Sequence, residues 1–233
     1  EAIGGSSGLV GAYATLAANI FAATAAFGAL QRAAQFEKLL QGFEAIAATT
    51  GRTSSIIVQS LKDITDGALS TEQAASSAAA GINAGFSTSE IERLAGVAKN
   101  AAVALGRNLP DAIDRLVRGT AKIEPEILDE LGIFVRLDDA VEKYAISLGK
   151  SASALNQAQR RQAFLNETLE QGELKFGILE GVVTPDKYTK LAASFDDLTK
   201  TVLKFFSAIG SPVISLLATN TGFLLSTLLL FGS

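Results

Sequence analysis

Cysteine, histidine, methionine and tryptophan are all absent from this chain of 233 residues. Without cysteine no disulfide forms, and the redox compartment leaves no trace in the sequence. Without histidine and cysteine the usual zinc sites are excluded, as are nucleophiles activated through a Ser–His or Cys–His pair. Proline is scarce, at four residues, so little interrupts a helix. Charge is missing from both ends: residues 2–31 and 205–233 carry none, and all 20 basic and 24 acidic residues except Glu1 lie between them. The net charge of −4 does not suggest a nucleic-acid binder, which carries a basic face. With no initiator methionine, Glu1 first and an apolar run last, the sequence reads as a piece of a longer protein. Glu1 also stands where a signal peptide needs a basic segment.

What is present is alanine, within a hydrophobic share of 48% and a mean hydropathy of +0.30. Alanine is the best helix former because it loses no side-chain entropy and buries no polar group. The expected fold is all-α, with a long N-terminal helix and a compact bundle of short helices. A coiled-coil-like helix then leads to a hydrophobic helix. The expected segments are 1–50 (long apolar helix), 51–171 (bundle), 172–186 (hinge), 187–210 (oligomerising amphipathic helix) and 211–233 (hydrophobic helix).

The long first helix is read over 9–50. Leu9, Tyr13, Leu16, Ile20, Ala23, Phe27, Leu30 and Ala34 alternate spacings of four and three, a heptad seam. Small residues beside it suit close helix approach. The seam shifts phase at Glu37 and resumes at Phe36, Leu39, Phe43 and Ile46. Gly51 suits the residue that ends a helix. Between 51 and 137 about five helices are expected. Thr53 or Ser54 starts one that runs through Gly67. Ser70–Gln73 and Ser87–Glu90 are capping boxes. Pro110 and Pro125 suit helix starts, and Gly132 a stop. Two further helices are expected, one opened by Asp138 or Asp139 and closed by Gly149. The other carries Leu155, Phe164, Leu165 and Leu169 and is closed by Gly172.

The last amphipathic helix starts near Asp186. Tyr188, Leu191, Phe195, Leu198, Val202 and Phe205 alternate by three and four, and Lys187, Lys190, Asp196, Asp197, Lys200 and Lys204 avoid that seam. Self-association and ordinary core packing both produce this pattern, because periods of 3.5 and 3.6 barely separate over three heptads. Gly210-Ser211-Pro212 bends or restarts the helix. Val213–Phe231 is then uncharged, and a spanning helix needs about 20 apolar residues. Leu216, Leu217, Phe223, Leu224, Leu228, Leu229 and Phe231 are its expected lipid-facing residues.

Motifs for chemistry are weak. Gly149-Lys150-Ser151 ends like a phosphate loop, but Tyr144 stands where the first glycine belongs. Asn166-Glu167-Thr168 matches a glycosylation sequon inside a helix. The acids Glu124, Glu126, Asp129, Glu130, Asp138, Asp139 and Glu142 suit helix N-termini better than acid–base catalysis. Gly4–Gly8 reads as a flexible lead-in and Gly81–Gly85 as a helix end. No catalytic residue, cofactor or metal ligand is assigned.

Several phrases occur in a telling order. Phe36-Glu37 precedes Ala48-Thr49-Thr50-Gly51. Leu61 to Leu69-Ser70-Thr71-Glu72-Gln73-Ala74 follows, then Gly85-Phe86-Ser87-Thr88-Ser89-Glu90-Ile91. Ala101 to Gly106, Ala112-Ile113 to Gly119 and Leu128-Asp129-Glu130-Leu131-Gly132-Ile133 come next, and then Gln159-Arg160-Arg161-Gln162-Ala163-Phe164-Leu165-Asn166. In this order they resemble the conserved region of tail tape measure proteins of long-tailed bacteriophages, over roughly residues 30–210. The long helical repeat that sets tail length is not in this chain.

The resemblance implies an elongated helical protein of the virion tail lumen or tip. It implies a few copies on the tail axis, most often a homotrimer, with tail tip and tail tube proteins as partners. It also implies release at infection and help in forming a channel across the host membrane. DNA then passes nearby without sequence-specific binding. At 1.5 Å per residue even a fully helical chain reaches only about 350 Å, too short for a complete long ruler. A pore-forming toxin or secretion translocator is the alternative, lacking the ordered phrases at 48–133. A cell-wall hydrolase has no nucleophile–base pair or metal cluster here to support it.

Overall fold

The computed structural model describes residue 28 and residues 31–219 except 180 and 183, with the side chains of 203 and 205–219 outside the description. All regular secondary structure among these residues is helical. Helix α1 is described over 31–48. It is followed by α2 (Ser54–Ile64), α3 (Thr71–Asn83), α4 (Thr88–Leu105), α5 (Leu109–Lys122), α6 (Pro125–Asp129), α7 (Leu137–Ser147), α8 (Gln157–Phe176) and α9 (Lys187–Thr219). Short 3-10 turns lie at Ala152–Ala154 and Gly177–Leu179. The earlier part of the expected first helix, 9–27, lies outside the described residues.

The helix starts follow the caps written in the sequence. Thr53 caps α2. Ser70 and Ser87 form complete capping boxes, with Gln73 and Glu90 reaching back to the cap backbone. Each box satisfies two of the N–H groups that a helix start leaves without partners. Asn108 caps α5 just ahead of Pro110, and Pro125 opens α6. Helix α7 is different. Its cap position is Arg136, with no side-chain cap bond, and Asp138 and Asp139 sit inside the first turn. There they complement the helix dipole rather than accept the first N–H.

The chain divides into two compact units, one of Leu39–Asp197 and one of Glu1–Lys38 with Leu198–Ser233. In the first, α4 packs against α2, α3, α5 and α8. Its buried side chains are mostly small or aliphatic, including Ala95, Ala98, Ala101 and Ala102 beside Ile91, Leu94 and Val97. Alanine lets neighbouring helices come close, so one helix meets four others. Phe43 and Phe164 are the largest fully buried side chains. A smaller cluster of Val141, Ala145, Leu155 and Ala163 holds α7 to α8.

Gly172 does not end α8, which runs through it to Phe176. A Cβ at Gly172 would stand 2.5 Å from Val97 Cγ1. The glycine is there for the close approach of α8 to α4, and the expected hinge is correspondingly shorter than 172–186. At the end of α5, Ile123 takes left-handed angles, φ 59 and ψ 51. It packs partly buried against the core, an unusual place for a β-branched residue.

In the second unit, Ala33 and Phe36 are buried. The Lys200 and Lys204 ammonium groups lie 5.2 and 4.9 Å from the Phe36 ring centre, within cation–π range.

Candidate functional site: an exposed apolar stripe on the last helix

Asp186 stands just before α9 and organises its start. Its Oδ1 accepts from the backbone N–H groups of Tyr188 (2.8 Å) and Thr189 (2.9 Å), and its Oδ2 from the Thr189 hydroxyl (2.6 Å). The Thr189 hydroxyl and then its backbone N–H hold the Asp186 carboxyl below its usual range, because they favour the charged form.

One face of α9 meets the rest of the Leu39–Asp197 unit. Ala193 on this helix is buried. Four residues on, Asp197 accepts from Lys62 Nζ at 2.5 Å and from the Thr71 backbone N–H at 2.7 Å. Thr71 is the first residue of α3, so the carboxylate also sits at the positive end of that helix.

At 3.6 residues per turn, Ala193 and Asp197 lie on the side of the helix opposite Tyr188, Leu191 and Phe195. Those three are exposed at 83%, 64% and 66%. Leu198 and Val202, which continue the spacing, are exposed as well. The seam residues with described side chains are therefore outside the core, and it is Ala193 that is inside. The Phe205 side chain lies outside the described residues.

Leu216 and Leu217 belong to α9 by backbone, with side chains outside the description. Phe223, Leu224, Leu228, Leu229 and Phe231 lie wholly outside it. Helical backbone continues through Gly210, Ser211 and Pro212 to Thr219 without a restart. Proline's fixed φ is itself helical, so it is compatible with the continued helix although it removes one backbone bond and crowds the carbonyl four residues back. Among the described residues no helix is long and apolar enough to cross a membrane.

The acids singled out in the sequence have structural surroundings. Glu126 lies in the first turn of α6. Glu130 pairs with Arg115 at 2.5 Å and with Arg107 at 3.6 Å. No group of three or more acids among the described residues is placed to hold a metal ion.

Sequence reading missed other exposed apolar residues, among them Phe134, Leu174, Ile178 and Val182. Leu174 and Ile178 are four residues apart, but the glycines between 172 and 186 break up the pattern that would mark a helix face.

No family model matches the chain, and no solved structure matches it.

Proposed function

We propose that this chain is a structural, self-associating helical protein, a segment of a phage tail tape measure protein. The exposed stripe of α9 supports the association: Tyr188, Leu191 and Phe195 lie outward while Ala193 and Asp197 take the inward face. Alternate spacings of three and four give a stripe that a second copy of the same helix matches, side chain for side chain. The flanking charges stay off it. The ordered phrases over residues 36–166 support the tail assignment.

In this reading the chain sits as a homotrimer in the tail lumen or tip, against tail tip and tail tube proteins. At infection it leaves the tail and its apolar ends bury in the host membrane, helping to form a channel for DNA. Apolar burial yields about 25 cal/mol per Å² in either setting, so the same ends are stable in both. The mechanism is an exchange of partners, with no catalytic step and no cofactor.

The test is the mass of the chain in mild detergent by analytical ultracentrifugation, together with leakage and protease protection on liposomes. A trimer that protects residues 205–233 is expected. A strict monomer at high concentration overturns the association. A chain that never partitions into liposomes overturns the membrane step.

A further inference from the structure

Helix α7 is attached differently at its two ends. Its first turn reaches the main core, where Ala140 is buried and Leu137 packs partly against it. From Val141 on, its buried side chains belong to the smaller cluster of Val141, Ala145, Leu155 and Ala163. Of these four only Ala163 lies on α8. Among the described helices, α7 packs against α8 and the 3-10 turn at Ala152–Ala154 and makes no other substantial contact. Helix α4, by comparison, meets four helices.

The remaining ties are weak. The start of α7 has no side-chain cap bond, and the helix is 11 residues long. Isolated helices shorter than about 12–15 residues are marginal in water. Lys143 Nζ donates to Glu167 Oε2 at 3.1 Å and also to Glu170 Oε2. The Lys143 and Glu170 side chains are 57% and 50% exposed, and exposed pairs contribute little. Arg160 donates to the Leu155 and Ala152 carbonyls, both at 3.3 Å, long for such bonds. The flanks, in contrast, are fixed. Val135, two residues before α7, is buried in the main core. Asn156 and Gln159 form a complete capping box at the start of α8, and Phe164 and Leu165 root that helix in the main core. Gly149, at φ 64, makes the turn between the two limbs.

We propose that residues 141–155 form a strap over α8 that opens as one unit, swinging on Ala140 and Asn156, while the rest of the bundle stays folded. Proteins open in contiguous units, and those with few buried apolar contacts open first. Opening lifts Val141 and Ala145 off Ala163 and leaves Glu167 and Glu170 without Lys143. Residues 163, 167 and 170 share one helix face, so the strap covers an acidic face of α8 when closed and uncovers it when open. This inference is independent of the self-association reading, because α9 takes no part in it.

The chain has no cysteine, so a single introduced thiol reports the opening. Ala145→Cys and, in α4, Ala101→Cys are each treated with iodoacetamide under native conditions, in the whole chain in mild detergent. The two alanines are equally buried, at 1% and 0% exposure. Ala145→Cys is expected to react about a hundredfold faster or more. Its rate should scarcely change in dilute urea, because opening the strap exposes little surface, whereas that of Ala101→Cys should rise steeply. Adding Lys143→Met is expected to speed labelling of Ala145→Cys by about two- to fivefold and to leave that of Ala101→Cys unchanged. Because a thiol can itself loosen the strap, amide hydrogen exchange is also read in the unsubstituted chain. Amides of 144–148 should exchange about a hundredfold faster or more than those of 95–102, with α8 still protected. Equal labelling of the two thiols, or equal protection of the two segments, overturns the proposal. So does loss of protection over 163–170 together with 144–148, because α8 would then open with the strap.

Discussion

Gly172 shows how one hydrogen in place of a methyl group sets the distance between two helices. Gly172→Ala puts a Cβ 2.5 Å from Val97 Cγ1 and 3.2 Å from Cγ2, and Val97 is itself buried. Overpacking of this kind costs about 1–3 kcal/mol. Urea unfolding of Gly172→Ala should show that loss, and the further change Val97→Ala should recover part of it by removing the clashing methyls. Ser70 is a second sensitive position. It is fully buried, and its box with Gln73 has bonds of 2.9 and 3.4 Å. Ser70→Ala should cost about 0.5–2 kcal/mol, the usual loss for a cap, read by the same unfolding curve. The two positions differ in legibility. A capping box is a local pattern, and Ser70 and Ser87 announce it within four residues. The role of Gly172 depends on Val97, 75 positions earlier in the chain, and no local pattern carries that. Read locally, a glycine after an apolar run suggests a helix end, which is why the expected end of α8 falls short of Phe176.

At the scale of elements, α9 is fixed at its start by a single carboxylate. Asp186 has its pKa lowered by the Thr189 hydroxyl first and then by the Thr189 backbone N–H. A carboxyl with a depressed folded pKa stabilises the fold above its unfolded value, about 3.9. That contribution is lost as pH falls through the folded value. The first turn of α9 should therefore loosen below about pH 4, seen as faster amide exchange at Tyr188, Thr189 and Lys190. Asp186→Asn should remove most of this pH dependence, because it cannot change charge. Equal acid sensitivity in Asp186→Asn would assign the loosening to other carboxylates. The start of this helix near Asp186 was legible because Pro185-Asp186 is a local signal. The orientation of its apolar stripe was not. A 3–4 alternation fits a core-facing helix as well as an interchain seam over this length. Its outward orientation follows from Asp197, whose bonds to Lys62 and to the Thr71 backbone N–H span more than 120 positions of sequence.

For the whole molecule, the proposed self-association through the outward stripe predicts that folding and association are separable by substitution. Leu191 is 64% exposed, so Leu191→Asp removes little from the folded monomer and should leave its thermal unfolding nearly unchanged. In an assembly the same side chain is buried. Complete burial of a leucine is worth about 1.5–3 kcal/mol, and a charge in the seam adds its own desolvation cost. Each step of 1.4 kcal/mol is tenfold in affinity, so Leu191→Asp should weaken self-association by about tenfold or more in sedimentation equilibrium. Asp197→Ala makes the opposite case. It removes the acceptor of Lys62 and of the Thr71 N–H, leaving Lys62 without the bond that ties α9 to α2. It should lower the unfolding midpoint while leaving the seam intact. If both variants lower stability and association together, α9 docks and associates through one coupled surface. If Leu191→Asp lowers only association and Asp197→Ala only stability, the two faces of one helix carry the two tasks. That second outcome is what a tail protein needs if it is to leave one set of partners for another without unfolding its bundle.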